Sequence, residues 1–226
     1  MKKFKKIIAM GCAAVMAMSV MCVSAFAADN ESLDKNEVVE YNLSTFVKDG
    51  DKIVEKVATD AEKVEYMRAH GRMPGTTFDV GNKRYLVTDN YDLSYIGEIE
   101  SENNLVQSFA RGTSIPTSQG SLPYNGSYSL SSYLYTNRYF KVGASYNRPS
   151  IGVAISANDA QTIGVSYIDM RVNESMGNHS KYLSKNGVWE FLDWVYGGEK
   201  FCIKLFNAGG SNWISGSFTV SVDQID

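Results

Sequence analysis

The second half of the chain alternates apolar and polar residues over several short runs. The last run, 214–222, shows the pattern most clearly, with Ile214, Phe218, Val220 and Val222 on one side and Ser215, Ser217, Thr219 and Ser221 on the other. Successive side chains of a strand point to opposite faces of a sheet. We therefore predict a strand with one face on a hydrophobic core and one face in water.

Similar runs, separated by turn residues, predict further strands before this one. They cover residues 127–134, 139–146, 151–157, 162–172, 188–195 and 200–207. About seven strands in about a hundred residues, with no helical periodicity between them, are typical of an antiparallel β-sandwich. The fold predicted for 124–226 is this sandwich.

The preceding region has a different pattern, with one helix and a few strands. Helical spacing of Ala61, Val64 and Met67 predicts a helix that Asp60 caps and that ends before Gly71. A turn at 81–82 then predicts a β-hairpin, followed by a short strand near 95–99. Residues 28–111 are therefore predicted to form a small α+β region, and the whole chain to be mainly β.

Charge and composition divide the chain at the same place. Residues 28–111 hold 17 acidic and 10 basic side chains, whereas 112–226 hold 8 of each. Between them, 112–123 contains Pro116 and Pro123 among Ser, Thr and Gly, which is typical of a linker. No basic stripe occurs, so the composition disfavours nucleic acid and anionic membranes as partners.

The first 27 residues have the features of a secretory signal peptide. Four lysines precede an apolar run over 7–23, and Ala25-Phe26-Ala27 provides a cleavage site. A retained membrane anchor is the alternative, but the run is short and contains Gly11 and Ser19. We expect a secreted protein that begins at Ala28 and makes no membrane contact after cleavage.

No group of residues predicts catalysis, a cofactor or a metal ion. The mature chain has two histidines, His70 at the predicted helix end and His179 in a predicted loop, and no G-x-S-x-G motif accompanies them. Glu190 and Asp193 lie near each other in sequence, but proximity alone does not place two carboxylates across a substrate. Cys202 is the sole mature cysteine, so neither a disulfide nor a zinc motif is predicted.

The C-terminal half resembles the bacterial pre-peptidase C-terminal type of β-sandwich. The resemblance rests on Tyr139-Phe140-Lys141-Val142, on 197–205 and on 216–222, with Phe201-Cys202 in place of the usual paired tyrosines. It implies an accessory β-sandwich of an exported protein. The layout of signal peptide, acidic region, linker and sandwich is also similar to small exported proteins of Gram-positive bacteria.

Two aromatic residues are the candidate ligand contacts. Trp213 has the register of Ser215, so we predict that it faces water near a sheet end, where loops often carry function. The alternative is that it turns inward and covers the end of the sandwich. Tyr139 is the second candidate, at a strand start beside Arg138.

These patterns favour a secreted, non-catalytic bacterial protein with a binding or adhesion-type β-sandwich. The partners indicated are a cell-wall glycan or an extracellular protein. One alternative is a secreted hydrolase of wall or extracellular polymer. Another is a secreted effector in which 28–111 is a pro-region.

Overall fold

A computed structural model describes residues 37–49, 52–99, 107–108, 113–143, 150–194, 198–210 and 212–223. These residues belong to one compact unit, Glu37–Asp226. The predicted signal peptide, 1–27, lies outside them. Within the described ranges, no helix has the length and apolar character needed to cross a membrane.

The protein is mainly β, as predicted, with a helix in its N-terminal part. The first strands are β1 (Val38–Val39), β2 (Tyr41–Asp49), β3 (Lys52–Val57), β4 (Thr77–Val80), β5 (Lys83–Val87), β6 (Leu93–Glu98), β7 (Gln107–Ser108) and β8 (Tyr124–Leu130). The later strands are β9 (Tyr133–Tyr135), β10 (Phe140–Lys141), β11 (Ser150–Ala157), β12 (Gln161–Asp169), β13 (Glu174–Leu183), β14 (Val188–Trp194), β15 (Lys200–Asn207) and β16 (Ile214–Asp223). Helix α1 spans Asp60–Ala69.

The strands form three sheets. A seven-stranded sheet has the order β3-β2-β14-β11-β16-β8-β7, and a five-stranded sheet has the order β10-β15-β12-β13 with β9 also paired to β15. A four-stranded sheet has the order β1-β6-β5-β4. Most neighbouring strands are antiparallel, whereas β2 runs parallel to β14 and β7 parallel to β8.

The seven-stranded and five-stranded sheets enclose the main hydrophobic core. Ile155 and Phe218 contribute from the first sheet, and Ile163, Phe201 and Leu205 from the second, all fully buried. Removing each such side chain from water stabilises the fold by about 1.5–3 kcal/mol. This packing of two sheets is the predicted β-sandwich.

A second core lies on the other side of the seven-stranded sheet. There Ala154 and Val188 of the sandwich pack with Tyr85 and Val80 of the four-stranded sheet and with Met67 of α1. Helix α1 and the four-stranded sheet therefore form a third layer over the outer face of the sandwich.

Helix α1 begins with a capping box. The Thr59 hydroxyl accepts a hydrogen bond from the Glu62 backbone N–H at 3.3 Å, and the Glu62 carboxylate accepts one from the Thr59 N–H at 2.8 Å. These two bonds satisfy amides that would otherwise lack helical partners. The predicted helix is confirmed, but its cap is Thr59 and not Asp60.

Most predicted strands of the sandwich are present, and the differences are local. The predicted strand 127–134 is two strands, β8 and β9, because the chain bends at 131–132. The segment predicted as a loop around His179 is strand β13. For the predicted strand 139–146, the structure shows β10, and residues 144–146 lie outside the described ranges.

The predicted water-facing side of β16 is covered. Ser217 is 1% exposed, and its hydroxyl is hydrogen-bonded to Asn82 in the turn between β4 and β5. The Gly81 N–H donates to the Thr219 hydroxyl at 2.9 Å. A Cβ at Gly81 would lie 2.6 Å from the Gly126 carbonyl oxygen, so the close approach of this turn needs glycine. The prediction for β16 was wrong because serine and threonine here bond to a third layer.

The change from the acidic region to the neutral region near residue 112 is not a boundary between sheets. Strand β2, from the acidic region, pairs with β14 of the sandwich from Tyr41↔Val188 onward. Within the predicted linker, Gly120 N–H donates to the Tyr139 carbonyl at 2.8 Å, and Tyr139 N–H donates to the Ser118 carbonyl at 3.0 Å. Residues 113–123 thus lie against the sandwich.

Candidate functional site

Trp213 lies in a cleft at one end of the sandwich, with 62% of its surface exposed. This end cleft has a volume of about 500 Å³, and its lining includes Trp213, Tyr182, Gln161, Thr162, Asn207 and Asn212. The structure therefore places the indole in water, as predicted, and not as a plug over the core.

The floor of the end cleft is held by a buried amide. The Gln161 side chain donates to the Ser215 carbonyl at 3.0 Å and accepts from the Ser215 N–H at 3.0 Å. It also donates to the Tyr128 hydroxyl at 2.6 Å. These bonds tie the start of β12 to the start of β16, so the residues just before β16, including Trp213, are attached to a rigid element.

A second exposed aromatic residue, Tyr182, lines the same cleft. It lies on β13 opposite Thr162 of β12, and 60% of its surface is exposed. Tyr182 was not predicted as a contact, because the sequence of β13 has the composition of a loop. The Lys181-Tyr182-Leu183 alternation, with Leu183 buried and Tyr182 exposed, is the signal that could have revealed it.

A second cleft adjoins the first on the outer face of the five-stranded sheet. This side cleft has a volume of about 420 Å³, and its lining includes Tyr133, Asn178, Lys204, Phe206 and Asn207. Asn207 lines both clefts. Its amide nitrogen lies 3.4 Å from the Ser131 carbonyl in the side cleft and 2.5 Å from the Asn212 carbonyl in the end cleft.

Lys204 and two tyrosines form the positively charged part of the side cleft. The Lys204 Nζ lies 4.6 Å from the ring centroid of Tyr133 and 6.0 Å from that of Tyr135. The two rings meet edge to face, with centroids 5.9 Å apart. Cation–π contact of this kind positions an ammonium group without neutralising its charge.

Comparison with known proteins gives no family for this chain. No protein-family profile matches, and no curated protein matches. Among solved structures, the chain is similar to a ruminal GH26 endo-β-1,4-mannanase with a TM-score of 0.32 and 7% identity, over 49% of this chain and 28% of that one. The chain thus spans less than a third of the mannanase.

Two smaller solved proteins are also similar to parts of the chain. PirA matches with a TM-score of 0.30 and 12% identity, over 46% of this chain and 97% of its own. PliG of Aeromonas hydrophila, a periplasmic inhibitor of g-type lysozyme, matches with a TM-score of 0.28 and 12% identity, over 48% of this chain and 95% of its own.

Tyr139, the other predicted contact, is not brought together with Trp213. It is half-buried next to β10, and the Lys200 Nζ lies 5.1 Å from its ring centroid. It lines neither the end cleft nor the side cleft.

The two histidines have structural contacts. His179 lies on β13, and its ring stacks on Phe46 with centroids 3.4 Å apart. Burial lowers the pKa of His179, and the charge of Glu55 offsets part of this effect. His70 ends α1, where its Nδ1 is 2.7 Å from the Tyr66 carbonyl. The expectation of a loop position for His179 was wrong, because its segment pairs with β12, where His179 lies opposite Val165.

Glu190 is the centre of a buried polar network between the sandwich and the small region. Its carboxylate accepts two hydrogen bonds from Arg72, at 2.5 and 2.9 Å, one from Tyr41 at 2.9 Å and one from Tyr66 at 3.0 Å. Burial alone would raise the pKa of Glu190, but the charge and hydrogen bonds of Arg72, with those of the tyrosines, hold it below its usual value. A carboxylate with four donors and 3% side-chain exposure acts as a structural anion.

Other reactive groups are buried or dispersed. Cys202 is a fully buried free thiol, and burial raises its pKa to about 12, which keeps it protonated. In the parts of the chain that the structure describes, no three His, Cys, Asp or Glu side chains converge as metal ligands.

A buried lysine joins the four-stranded sheet to the sandwich. Lys83 is 2% exposed, and its Nζ donates to the Ala157 carbonyl at 2.7 Å and to Asn186 Oδ1 at 2.9 Å. Both acceptors are neutral. Burial therefore lowers the pKa of Lys83 from 10.5 to about 8, against the opposing charges of Glu98 and Asp159.

This lysine predicts a pH dependence of stability. Between pH 8 and 10.5 the unfolded chain holds a proton on Lys83 that the folded chain releases, so the free energy of unfolding should rise with pH. Relative to a Lys83→Met variant, the wild type should gain up to about 3 kcal/mol across this range. Urea denaturation at several pH values measures the difference. If the free energy of unfolding of the wild type minus that of the variant stays constant or falls with rising pH, the prediction is wrong.

Proposed function

We propose that the protein is a secreted, non-catalytic β-sandwich module that binds a glycan at the cell wall or outside the cell. The observation that carries this proposal is the exposed indole of Trp213 in the end cleft, beside the exposed ring of Tyr182. The Thr162 hydroxyl and the Asn212 amide belong to residues that line the same cleft.

This combination of groups suits a sugar. Aromatic rings provide flat apolar surfaces on which the C–H face of a sugar can stack, and each ring atom removed from water contributes to affinity. Amides and hydroxyls can bond to the sugar hydroxyl groups and determine orientation. A concave site with few polar groups and aromatic walls is the usual form of a small-ligand site.

The same clefts support binding over hydrolysis. Glycosidases use two carboxyl groups on opposite sides of the scissile bond. Among the described residues that line the two clefts, Asp159 is the one carboxylate. Glu190 is engaged by Arg72 in the interior, away from either cleft.

Replacement of Trp213 by alanine tests the proposal. Because the indole is largely exposed, we expect the melting temperature to stay within about 1–2 °C of the wild type, and the free energy of unfolding to change by less than about 0.5 kcal/mol. Binding to the glycan that the wild type retains from a panel of cellulose, chitin, mannan and peptidoglycan should fall at least about tenfold. Val172→Ala, in the exposed turn at the other end of β12, is the control.

Three outcomes would count against the proposal. Destabilisation of the Trp213→Ala protein by about 3–5 kcal/mol would mark a core residue. Equal glycan binding by wild type and variant would remove the end cleft as the site. Release of reducing ends from a bound glycan would support the hydrolase alternative.

A further inference from the structure

The two clefts form a continuous outer surface that exceeds the size of one sugar ring. From Tyr182 on β13 to Tyr133 on β9, the surface crosses β12 and β15, which is three inter-strand spacings or about 14 Å. Asn207 lines both clefts, so the two clefts adjoin at this residue. A ligand that reaches both clefts must be a chain of several sugar units.

Both ends of this surface carry aromatic rings. Trp213 and Tyr182 line the end cleft, and Tyr133 and Phe206 line the side cleft. Asn178 lies farther from the end cleft, at the level of Lys204, because Ser166 of β12 pairs with both residues. Its Oδ1 accepts hydrogen bonds from the Ser166 and Ser175 hydroxyls, which leaves its NH₂ group available to a ligand. The side cleft therefore offers stacking rings next to hydrogen-bonding groups.

The side cleft also carries a positive charge without a matching negative charge. Lys204 is the one charged residue among its described lining residues. None of the ion pairs between described residues includes Lys204, although other lysines pair with Glu55, Asp60 and Glu62. The rings of Tyr133 and Tyr135 hold the ammonium group beside the cleft. A cation placed in this way complements an anionic group on the ligand.

We infer that the end cleft and the side cleft together bind an extended glycan that carries carboxylate groups, with Lys204 receiving one carboxylate in the side cleft. This inference rests on the proposed glycan-binding function and specifies its substrate class. Trp213 and Tyr182 stack on sugar rings. Asp159 lines the end cleft and opposes a carboxylate there, whereas Lys204 attracts a carboxylate in the side cleft and so selects chains that carry one at that end. The carboxylate can belong to a uronic acid or to the lactyl group of a muramic acid.

A pair of matched ligands separates charge from ring recognition. Hexagalacturonate and its fully methyl-esterified form have the same rings and linkages, but the ester lacks the negative charges. Calorimetric titration of the mature protein at low salt should show about five- to tenfold tighter binding of the acid, and added salt should reduce this preference. Hyaluronan oligomers and peptidoglycan glycan strands, tested in the same way, distinguish the two sources of carboxylate.

Variants on one strand give the matched controls. Lys204→Gln should bind the acid and the ester with similar affinity, and Lys204→Arg should retain the preference for the acid. Lys200→Gln makes the same change in net charge on the same strand, next to the Tyr139 ring and outside both clefts. It should bind like the wild type.

The inference and the proposed function fail in different ways. If the wild type binds the acid and the ester equally, or if Lys200→Gln loses the preference as Lys204→Gln does, the inference is wrong and glycan binding stands. If the wild type binds none of the glycans, neutral or acidic, both are wrong.

Discussion

Replacing Arg72 with alanine is expected to lower the free energy of unfolding by about 3–5 kcal/mol, since it leaves the buried Glu190 carboxylate without its counter-charge. Arg72 donates two hydrogen bonds to Glu190, which is 3% exposed. The remaining donors, Tyr41 and Tyr66, are neutral and cannot compensate the charge. Urea denaturation of the two proteins at pH 7 measures the loss.

The exposed pair Arg84–Asp79 is the matched control for this variant. It is also bidentate, with distances of 2.9 and 3.1 Å, but both side chains are more than a third exposed. Arg84→Ala should therefore cost less than about 1 kcal/mol. If Arg72→Ala and Arg84→Ala lower the free energy of unfolding by similarly small amounts, Glu190 is not isolated from water and the prediction is wrong.

The loss of unfolding free energy in the Arg72→Ala variant should also depend on pH. In the wild type the pKa of Glu190 lies below its usual value. The ionised carboxylate therefore contributes to the free energy of unfolding at neutral pH, and this contribution is lost as the pH falls through the lowered pKa. In the variant the pKa of Glu190 should rise above its usual value, because burial is no longer opposed. Protonation then removes the unpaired charge in the variant. The difference in unfolding free energy between the wild type and Arg72→Ala should therefore shrink between pH 7 and pH 4.

The strand pattern of the sandwich could be read from the sequence because each inner face is filled by a local alternation. Strands β15 and β16 begin at the predicted residues, Lys200 and Ile214, and in each strand apolar side chains that face the main core recur at every second position, such as Phe201, Ile203 and Leu205. The helix could also be predicted from a local pattern, because apolar residues recur at helical spacing up to the buried Met67.

The third layer could not be predicted because its contacts join residues far apart in sequence. Arg72 and Glu190 are 118 residues apart, and Lys83 and Asn186 are 103 apart. Ser217 looked like a water-facing residue because a serine that bonds to another layer has the same sequence signature as one that bonds to water. Strand β13 was missed because Gly177, Asn178 and Ser180 are typical of a turn.

Of the two candidate contacts, Trp213 is exposed as predicted. Its register does not explain this exposure, because the face of β16 with the same register is covered at Ser217. Trp213 is exposed because it precedes the first residue of β16. Tyr182 and Lys204 were missed because their placement beside the clefts depends on which strands pair, and sequence periodicity does not give strand order. Tyr139 was predicted as a contact from its position at a strand start beside Arg138, and it lies outside both clefts.

Residues 112–226 expressed without 28–111 are expected to fail to form a cooperatively folded sandwich. The seven-stranded sheet would lose β2 next to β14, along with the layer that buries Ala154 and Val188. Glu190 would lose Arg72 and both tyrosines. An unpaired strand edge and an exposed apolar face favour aggregation over a stable monomer.

Denaturation of this fragment, followed by near-UV circular dichroism, provides the measurement. We expect no cooperative transition and binding of a hydrophobic dye, whereas a 37–226 control, which retains every described strand, should unfold cooperatively. Adding residues 28–111 in trans should restore the near-UV signal if the missing layer alone is responsible. A fragment that unfolds cooperatively by itself would show instead that the β11–β14 and β11–β16 pairs hold the sandwich, and that the small region is an accessory layer on a module that folds independently.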